Sequence, residues 1–279
     1  MNDVLLLGLA ALDHEFMRYA FIAGTAVALA CGLVGYVMVL RAQVFIGDAM
    51  GHVAFTGALA ALAFGLDARL GLFVACVVVG LVLAGLGDRG RAGDAEIGIL
   101  SSWVLGLGVL LLSVVASSGG AGGAAGARVL FGSILGLDAT RTAWAVAIAA
   151  TVVVALLAIA RPLVFATLDE AVAGARGVPV RLLGFVFLAI VGVAAAEAAQ
   201  VVGALLLLGL LATPGGTAWR LTTNPYAGLA VSAAVAVAST WAGLLLSFEV
   251  PSLPPSVAII VVASTLYAGA SIVQRVRAG

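Results

Sequence analysis

Residues 39–57 read VLRAQVFIGDAMGHVAFTG. A carboxylate, Asp48, and an imidazole, His52, stand four apart in a run otherwise made mainly of apolar and small side chains. On a helix, residues four apart share a face, so the two groups can point together. Gly47 and Gly51 precede them by one residue each. Such a small-xxx-small step lets a second backbone come close in a solvent that supplies no hydrophobic drive between helices.

The chain around this run is not built to face water. Its 279 residues are 64% hydrophobic and 9% charged, with a mean hydropathy of +1.26, whereas soluble domains carry about 25% charged residues. Apolar segments run approximately over 19–40, 50–66, 69–86, 97–116, 143–160, 182–199, 201–218, 226–247 and 256–273. Most approach or exceed the ~18–20 residues that cross a bilayer as helix. The segments 50–66 and 69–86 are the short ones, and one of them is expected to be tilted or re-entrant. The pattern predicts an all-α polytopic membrane protein with eight or nine transmembrane helices in a single domain covering residues 1–279. Frequent Gly and Ala inside the segments fit close helix packing, and no internal repeat is evident.

Charge sets orientation and excludes some functions. The formal net charge is zero, so neither nucleic acid nor an acidic partner is expected. All thirteen basic residues are arginine. Without a lysine no P-loop can form, so this chain does not hydrolyse ATP by that chemistry, and the glycine-rich run at 119–128 reads as a loop. Short cytoplasmic loops are rich in basic residues. Placing Arg41, Arg89, Arg91, Arg161, Arg176, Arg181, Arg220, Arg275 and Arg277 inside gives nine crossings, an outside N-terminus and an inside C-terminus. Arg128 and Arg141, in the long 117–142 loop, fall on the other side.

The turns near 66–69, 117–127 and 248–256 are then external, and Glu197 with Gln200 is expected in another external, solvated turn. Cys31 and Cys76 read as small buried hydrophobes. The N-terminus lacks the early basic residues of a cleavable signal; residues 1–16 are expected to form a short interfacial helix, with Asp13, His14 and Glu15 as its solvated end.

A carboxylate at bilayer depth costs about 2.5–3.5 kcal/mol on insertion scales and usually faces a cavity or a partner. Carboxylate oxygen and imidazole nitrogen both bind divalent transition metals. On residue chemistry alone, Asp48 and His52 are equally a structural hydrogen bond near the cytoplasmic boundary or part of an ion path. Two groups fall short of the four ligands of a closed zinc site, though a twofold partner would double them.

The segment ATLDEAVAGARGVPVRLL, residues 166–183, is the most polar internal stretch. It follows Arg161-Pro162, expected to break the preceding helix. Asp169 and Glu170 favour a helix N-terminus, and Gly177 and Pro179 end the element, giving a short cytoplasmic helix between two spans.

The run at 39–57 resembles the signature of bacterial ABC-transporter permeases for zinc, manganese and iron. Three further stretches follow in the family's order: DAEIGILSSWVLGLGVLLLS at 94–113, VLFGSILG at 129–136 and VVGALLLLGLLATPGGTAWRL at 201–221. The resemblance covers about residues 17–273. It implies a fold like the vitamin B12 importer's permease, and a homodimer working with separate cytoplasmic ABC ATPase subunits and an extracytoplasmic metal-binding protein in the bacterial cytoplasmic membrane. It also implies that Asp48 and His52 lie in the ion pathway. The 166–183 segment resembles the family's coupling element, which carries over to Asp169, Glu170, Ala171 and Gly177.

The resemblance implies a transported cargo of Zn2+ first and Mn2+ second, and no permanently bound cofactor is expected. The sequence departs from some zinc permeases in carrying Ser101 and Ser102 where those have a histidine, and His52 is followed by Val53 before Ala54. A rival, an ion- or proton-coupled secondary transporter, uses the same pair as a relay; an intramembrane enzyme needs more polar residues at membrane depth than this chain has.

Overall fold

A computed structural model of the chain describes residues 13–87, 90–117, 130, 132–204, 207–250 and 252–278. The expected N-terminal interfacial helix and the glycine-rich run at 119–128 lie almost wholly or wholly outside those residues. All regular structure among the described residues is helical.

Helix α1, Glu15–Leu40, is followed by α2, Phe45–Ala63, and α3, Ala68–Leu86. Between α1 and α2 the chain turns on Ala42, a non-glycine residue at φ 53°. The amides of Ala42 and Gln43 donate to the carbonyls of Val39 and Met38 at 3.1 and 2.9 Å, the bonding of a Schellman cap, which usually places glycine at this left-handed position. Asp67 caps α3 by accepting from the Arg69 amide at 2.8 Å. Helix α4, Asp94–Ser117, precedes a 3-10 turn at Ile134–Gly136 and then α5, Ala139–Leu168, whose cap Asp138 accepts from the Arg141 amide at 2.7 Å.

A short helix α6, Glu170–Ala175, leads into α7, Val180–Val201, and α8, Leu207–Leu221. The last two are α9, Pro225–Glu249, and α10, Pro255–Ala278. Pro225 stands at the start of α9 with its Asn224 cap, where a missing N–H costs nothing.

Each of the nine apolar segments contains a helix, and among the described residues eight helices are long and apolar enough to cross a membrane. The short one is not 50–66 or 69–86, as composition suggested, but α8, with 15 residues. At 1.5 Å per residue it is about 22 Å long, short of the ~30 Å hydrocarbon core. It is short because the chain leaves the helix after Val201, with Gly203 at φ 106°. Two further expectations fail here. Pro162 does not end its helix: α5 runs through it for 30 residues, as membrane helices allow when neighbours satisfy the freed backbone groups. Glu197 and Gln200 are not in a solvated turn; α7 continues to Val201, and Glu197 is buried.

Helices α1, α2 and α7 are the inner members, each mostly buried, while α3, α4, α5 and α10 are largely exposed to what surrounds the bundle. Helix α1 packs on α5, α8 and α9, and α2 packs on α3 and α4. Cys31 and Cys76 are free and buried, as expected.

Candidate functional site

Asp48 and His52 lie in the first two turns of α2. Two chain segments hold that helix in place. A Cβ on Gly51 would meet the Ala204 carbonyl at 2.7 Å, and one on Gly47 would meet Leu208 Cδ1 at 3.3 Å. The backbone that approaches the small-xxx-small step is therefore the broken stretch between α7 and α8. On the other side, the Thr56 hydroxyl donates to the Val104 carbonyl of α4 at 3.0 Å.

The two candidate side chains come together as their spacing required: His52 Nε2 lies 3.7 Å from Asp48 Oδ2. That distance is beyond a hydrogen bond, so the pair does not close on itself. Its side chains are 55% exposed for Asp48 and 32% for His52 in the single chain. Among the described residues no third His, Cys, Asp or Glu joins them to form a ligand group. Ser101 and Ser102 turn their hydroxyls back to the carbonyls of Ile97 and Gly98, at 2.7 and 2.9 Å. The arrangement is an open, two-ligand site on the flank of a buried helix, able to hold a cation loosely and to release it.

At the end of the bundle where α1 turns into α2, a second polar cluster forms. Arg41 is 2% exposed. Its Nε donates to Gln43 Oε1 at 2.9 Å, Gln43 Nε2 donates to the Ala92 carbonyl at 3.3 Å, and the guanidinium lies over the Phe187 ring at 5.3 Å. Burial, reinforced by the neighbouring charge of Arg91, pushes the Arg41 guanidinium down to about 10, which leaves it charged at neutral pH. Arg91 in turn donates from Nη2 to the Arg41 carbonyl at 2.8 Å, and its Nη1 lies 3.9 Å from Glu170 Oε2. Glu170 opens α6, the short helix expected from residues 166–183.

Asp169 caps that helix by accepting from the Val172 amide at 2.9 Å, and Gly177 closes it at φ 80°. The side chain of Ala173 is buried against the bundle, while Ala171, Val172, Gly174 and Ala175 are exposed. One polar chain thus runs from the projecting helix α6, through Arg91, to the turn from which α2 starts.

Residues 13–274 match the ABC 3 transport family. The chain belongs to this family. Relatives of similar length include the manganese transport system membrane protein MntC of Halalkalibacterium halodurans, 29% identical over 92% of this chain and 87% of that protein. Another is the manganese import system permease protein ScaB of Streptococcus parasanguinis, 25% identical over 85% and 83%. Among solved structures, PsaBC from Streptococcus pneumoniae in complex with Fab superposes with a TM-score of 0.81, covering 96% of this chain and 95% of that one at 23% identity. A metal-chelate type ABC transporter in an inward-facing conformation gives 0.69 over 92% and 85%, at 18% identity. At these identities the two structures establish the fold, and the family establishes a multi-pass permease of the bacterial cytoplasmic membrane.

Sequence reasoning placed Asp48, His52 and the α6 segment but missed the tie between them. Arg41 and Arg91 stood out only as markers of sidedness, and Gln43 carried no signal. A polar residue beside a topogenic arginine, itself seven residues before an intramembrane carboxylate, was the available hint.

Proposed function

We propose that the chain is the membrane permease of an ATP-driven importer of a divalent transition metal, which passes along Asp48 and His52. The observation that carries this reading is the open pair itself. A carboxylate and an imidazole 3.7 Å apart, unbonded and over half and one-third exposed, are unfavourable against lipid. They make sense where a second copy covers them and supplies a second pair. That supports the homodimer, with α2 beside the twofold axis and up to four ligands assembled across it.

The manganese names of the relatives favour Mn2+ ahead of Zn2+, reversing the order expected from sequence. The open, incomplete site is compatible with this order, because a carboxylate with water suits manganese, while zinc favours closed tetrahedral sets.

ATP is supplied by a partner. The absence of lysine removes P-loop chemistry from this chain, and the exposed surface of α6 is the element that fits a cleft of a cytoplasmic ABC ATPase. Glu170 faces inward to Arg91, so its role in coupling is to fasten α6 to the bundle, while Ala171 and its exposed neighbours supply the contact surface and Asp169 and Gly177 shape the helix. Metal reaches the outer face from an extracytoplasmic binding protein.

Uptake in cells expressing the whole transporter tests the path. Asp48→Ala or His52→Ala abolishes metal accumulation while the protein still inserts and still co-purifies with its ATPase. Wild-type accumulation in both variants refutes the path. Uptake that collapses with an uncoupler and persists without the ATPase points instead to the secondary transporter.

A further inference from the structure

Helices α3 and α7 run antiparallel and touch backbone to backbone at two places. A Cβ on Gly80 would meet the Leu188 carbonyl at 2.6 Å, and one on Gly192 would meet the Cys76 carbonyl at 2.6 Å. Past the second contact, towards the end of the bundle opposite α6, the two helices part. A cavity of about 420 Å3 opens there, lined as well by the end of α2, the start of α5 and Ser133. Arg69 lines it seven residues before Cys76, and Glu197 lines it five residues after Gly192. At 1.5 Å per residue they stand about 10 and 8 Å past the contact. The two opposite charges are therefore at nearly the same level, on the two arms of a V.

Neither charge is matched. Glu197 is 3% exposed, and its Oε2 has no hydrogen-bond partner. The Nε2 of Gln200, three residues on and on the same face, has none either. Burying a carboxylate without a partner is strongly unfavourable, and an orphaned group of this kind calls for an explanation. The other ions of the lining are engaged. Asp67 caps α3 by accepting from the Arg69 amide at 2.8 Å, and Arg141 Nε lies 3.7 Å from Asp138 Oδ2. The Arg69 guanidinium has no hydrogen bond or ion pair among the described residues, yet its charge acts on Glu197. An unpaired cation and a buried, unpaired anion thus face one cavity.

The arm that carries Arg69 is joined to the helix of the Asp48–His52 pair. A Cβ on Gly57 of α2 would meet the Gly71 carbonyl at 2.6 Å, a backbone contact that makes the adjoining ends of α2 and α3 one hairpin. The turn between them passes through Gly65 at φ 71°, and no atom lies within 4 Å of where its Cβ would stand, so the turn is unobstructed. A swing of this hairpin about the Cys76–Gly192 contact narrows the cavity and carries α2 with it, a movement of the hinge kind that packed helices make.

We propose that Arg69 and Glu197 are the two halves of a latch, open in this structure and shut when the α2–α3 hairpin swings onto the end of α7. Shut, the guanidinium pairs with the carboxylate and Gln200 Nε2 donates to its second oxygen, so both orphaned groups are satisfied. The latch holds the helix of Asp48 and His52 in one of two positions. It deepens the import function above and rests on it for the source of the movement, the nucleotide cycle of the partner ATPase.

The test uses permease and ATPase purified together in lipid nanodiscs, with Ser133→Cys as reporter. Ser133 lines the cavity and belongs to neither half of the latch, and the native Cys31 and Cys76 are buried. Labelling by a hydrophilic maleimide is timed without nucleotide and with ATP trapped by vanadate. The two rates differ by about tenfold or more, the change in open fraction that one ion pair of modest strength produces. Arg69→Gln and Glu197→Gln each shrink the difference, and both together shrink it no further, because either alone removes the same pair. Should Glu197→Gln fail to fold, Arg69→Gln, at a partly exposed position, is read alone. Equal rates in both states mean a cavity of fixed shape and overturn the proposal, as does a difference that neither substitution changes or that the two diminish independently. If Asp48→Ala and His52→Ala transport normally while the labelling difference holds, the latch stands and the path falls. If they lose uptake and the rates never differ, the path stands and the latch falls.

Discussion

Arg91→Ala separates the mechanical role of the cytoplasmic cluster from simple assembly. The side chain makes two contacts across the joint. Its charged donor reaches the Arg41 carbonyl at 2.8 Å, a bond of the kind that contributes about 1.5–3 kcal/mol. Its second nitrogen lies 3.9 Å from Glu170, with the two side chains 30% and 23% exposed; partial exposure holds such a pair to about 1 kcal/mol. Arg91→Ala removes both contacts, a loss of about 1.5–4 kcal/mol across the joint. Water entering the vacated site recovers some of this, but even ~1.4 kcal/mol left over is tenfold in the ratio of fastened to loose states.

The measurement is made in proteoliposomes carrying permease and ATPase, with metal uptake and phosphate release followed in the same vesicles. Metal moved per ATP falls about tenfold while hydrolysis continues. Arg41→Met is read beside it: it spares the backbone carbonyl that Arg91 bonds but takes the guanidinium from Gln43. An unchanged ratio of metal to ATP refutes the tie, and so does a parallel loss of both activities, which signals failed assembly. Charge exchange separates the two contacts: Glu170→Arg alone sets two cations side by side, while Glu170→Arg with Arg91→Glu restores the ion pair but not the bond to the Arg41 carbonyl, so coupling returns only in part.

Two further substitutions probe the scaffold of the path and of the coupling helix. Gly51→Val pushes a branched side chain onto the Ala204 carbonyl, which a single Cβ already meets at 2.7 Å. It lowers stability by about 1–3 kcal/mol, seen as a reduced thermal midpoint, and cuts uptake more than it cuts expression. Gly177→Ala forces a Cβ into the left-handed region at φ 80° at a cost of about 1–2 kcal/mol. It loosens the end of α6 and weakens co-purification with the ATPase, leaving metal binding in nanodiscs unaltered.

The sequence was most readable where membrane physics leaves few choices. Each apolar run became a helix because lipid offers backbone groups no other partner, and Asp48 and His52 met because helical spacing obliges them to. Readability failed at three places for three reasons. Pro162 looked like a terminator because the rule for soluble helices was applied to one whose neighbours support it. The short helix was misplaced because the apolar segment 201–218 reads as continuous, while the chain leaves the helix at Gly203, a break that composition does not register. Glu197 looked solvated because a carboxylate near a span boundary usually is. Only the burial of the last turn of α7 beneath α3, α5 and the Ser133 segment shows otherwise. The tie through Gln43 and Arg91 joins residues about fifty positions apart, and nothing local announces such a contact.

The lengths of α5 and α8 carry one more consequence. At 30 and 15 residues they measure about 45 and 22 Å, a twofold difference that no single bilayer can match. Only one of them has to match it. Helix α5 lies on the outer belt, and α8 is shielded behind α1, α9 and α10. Lipid therefore meets a jacket of long, regular helices, while the shielded interior is free to use short and interrupted backbone. Varying acyl-chain length acts on the jacket through tilt and compression, and it reaches the broken strand beside Gly51 only through the helices that stand in between.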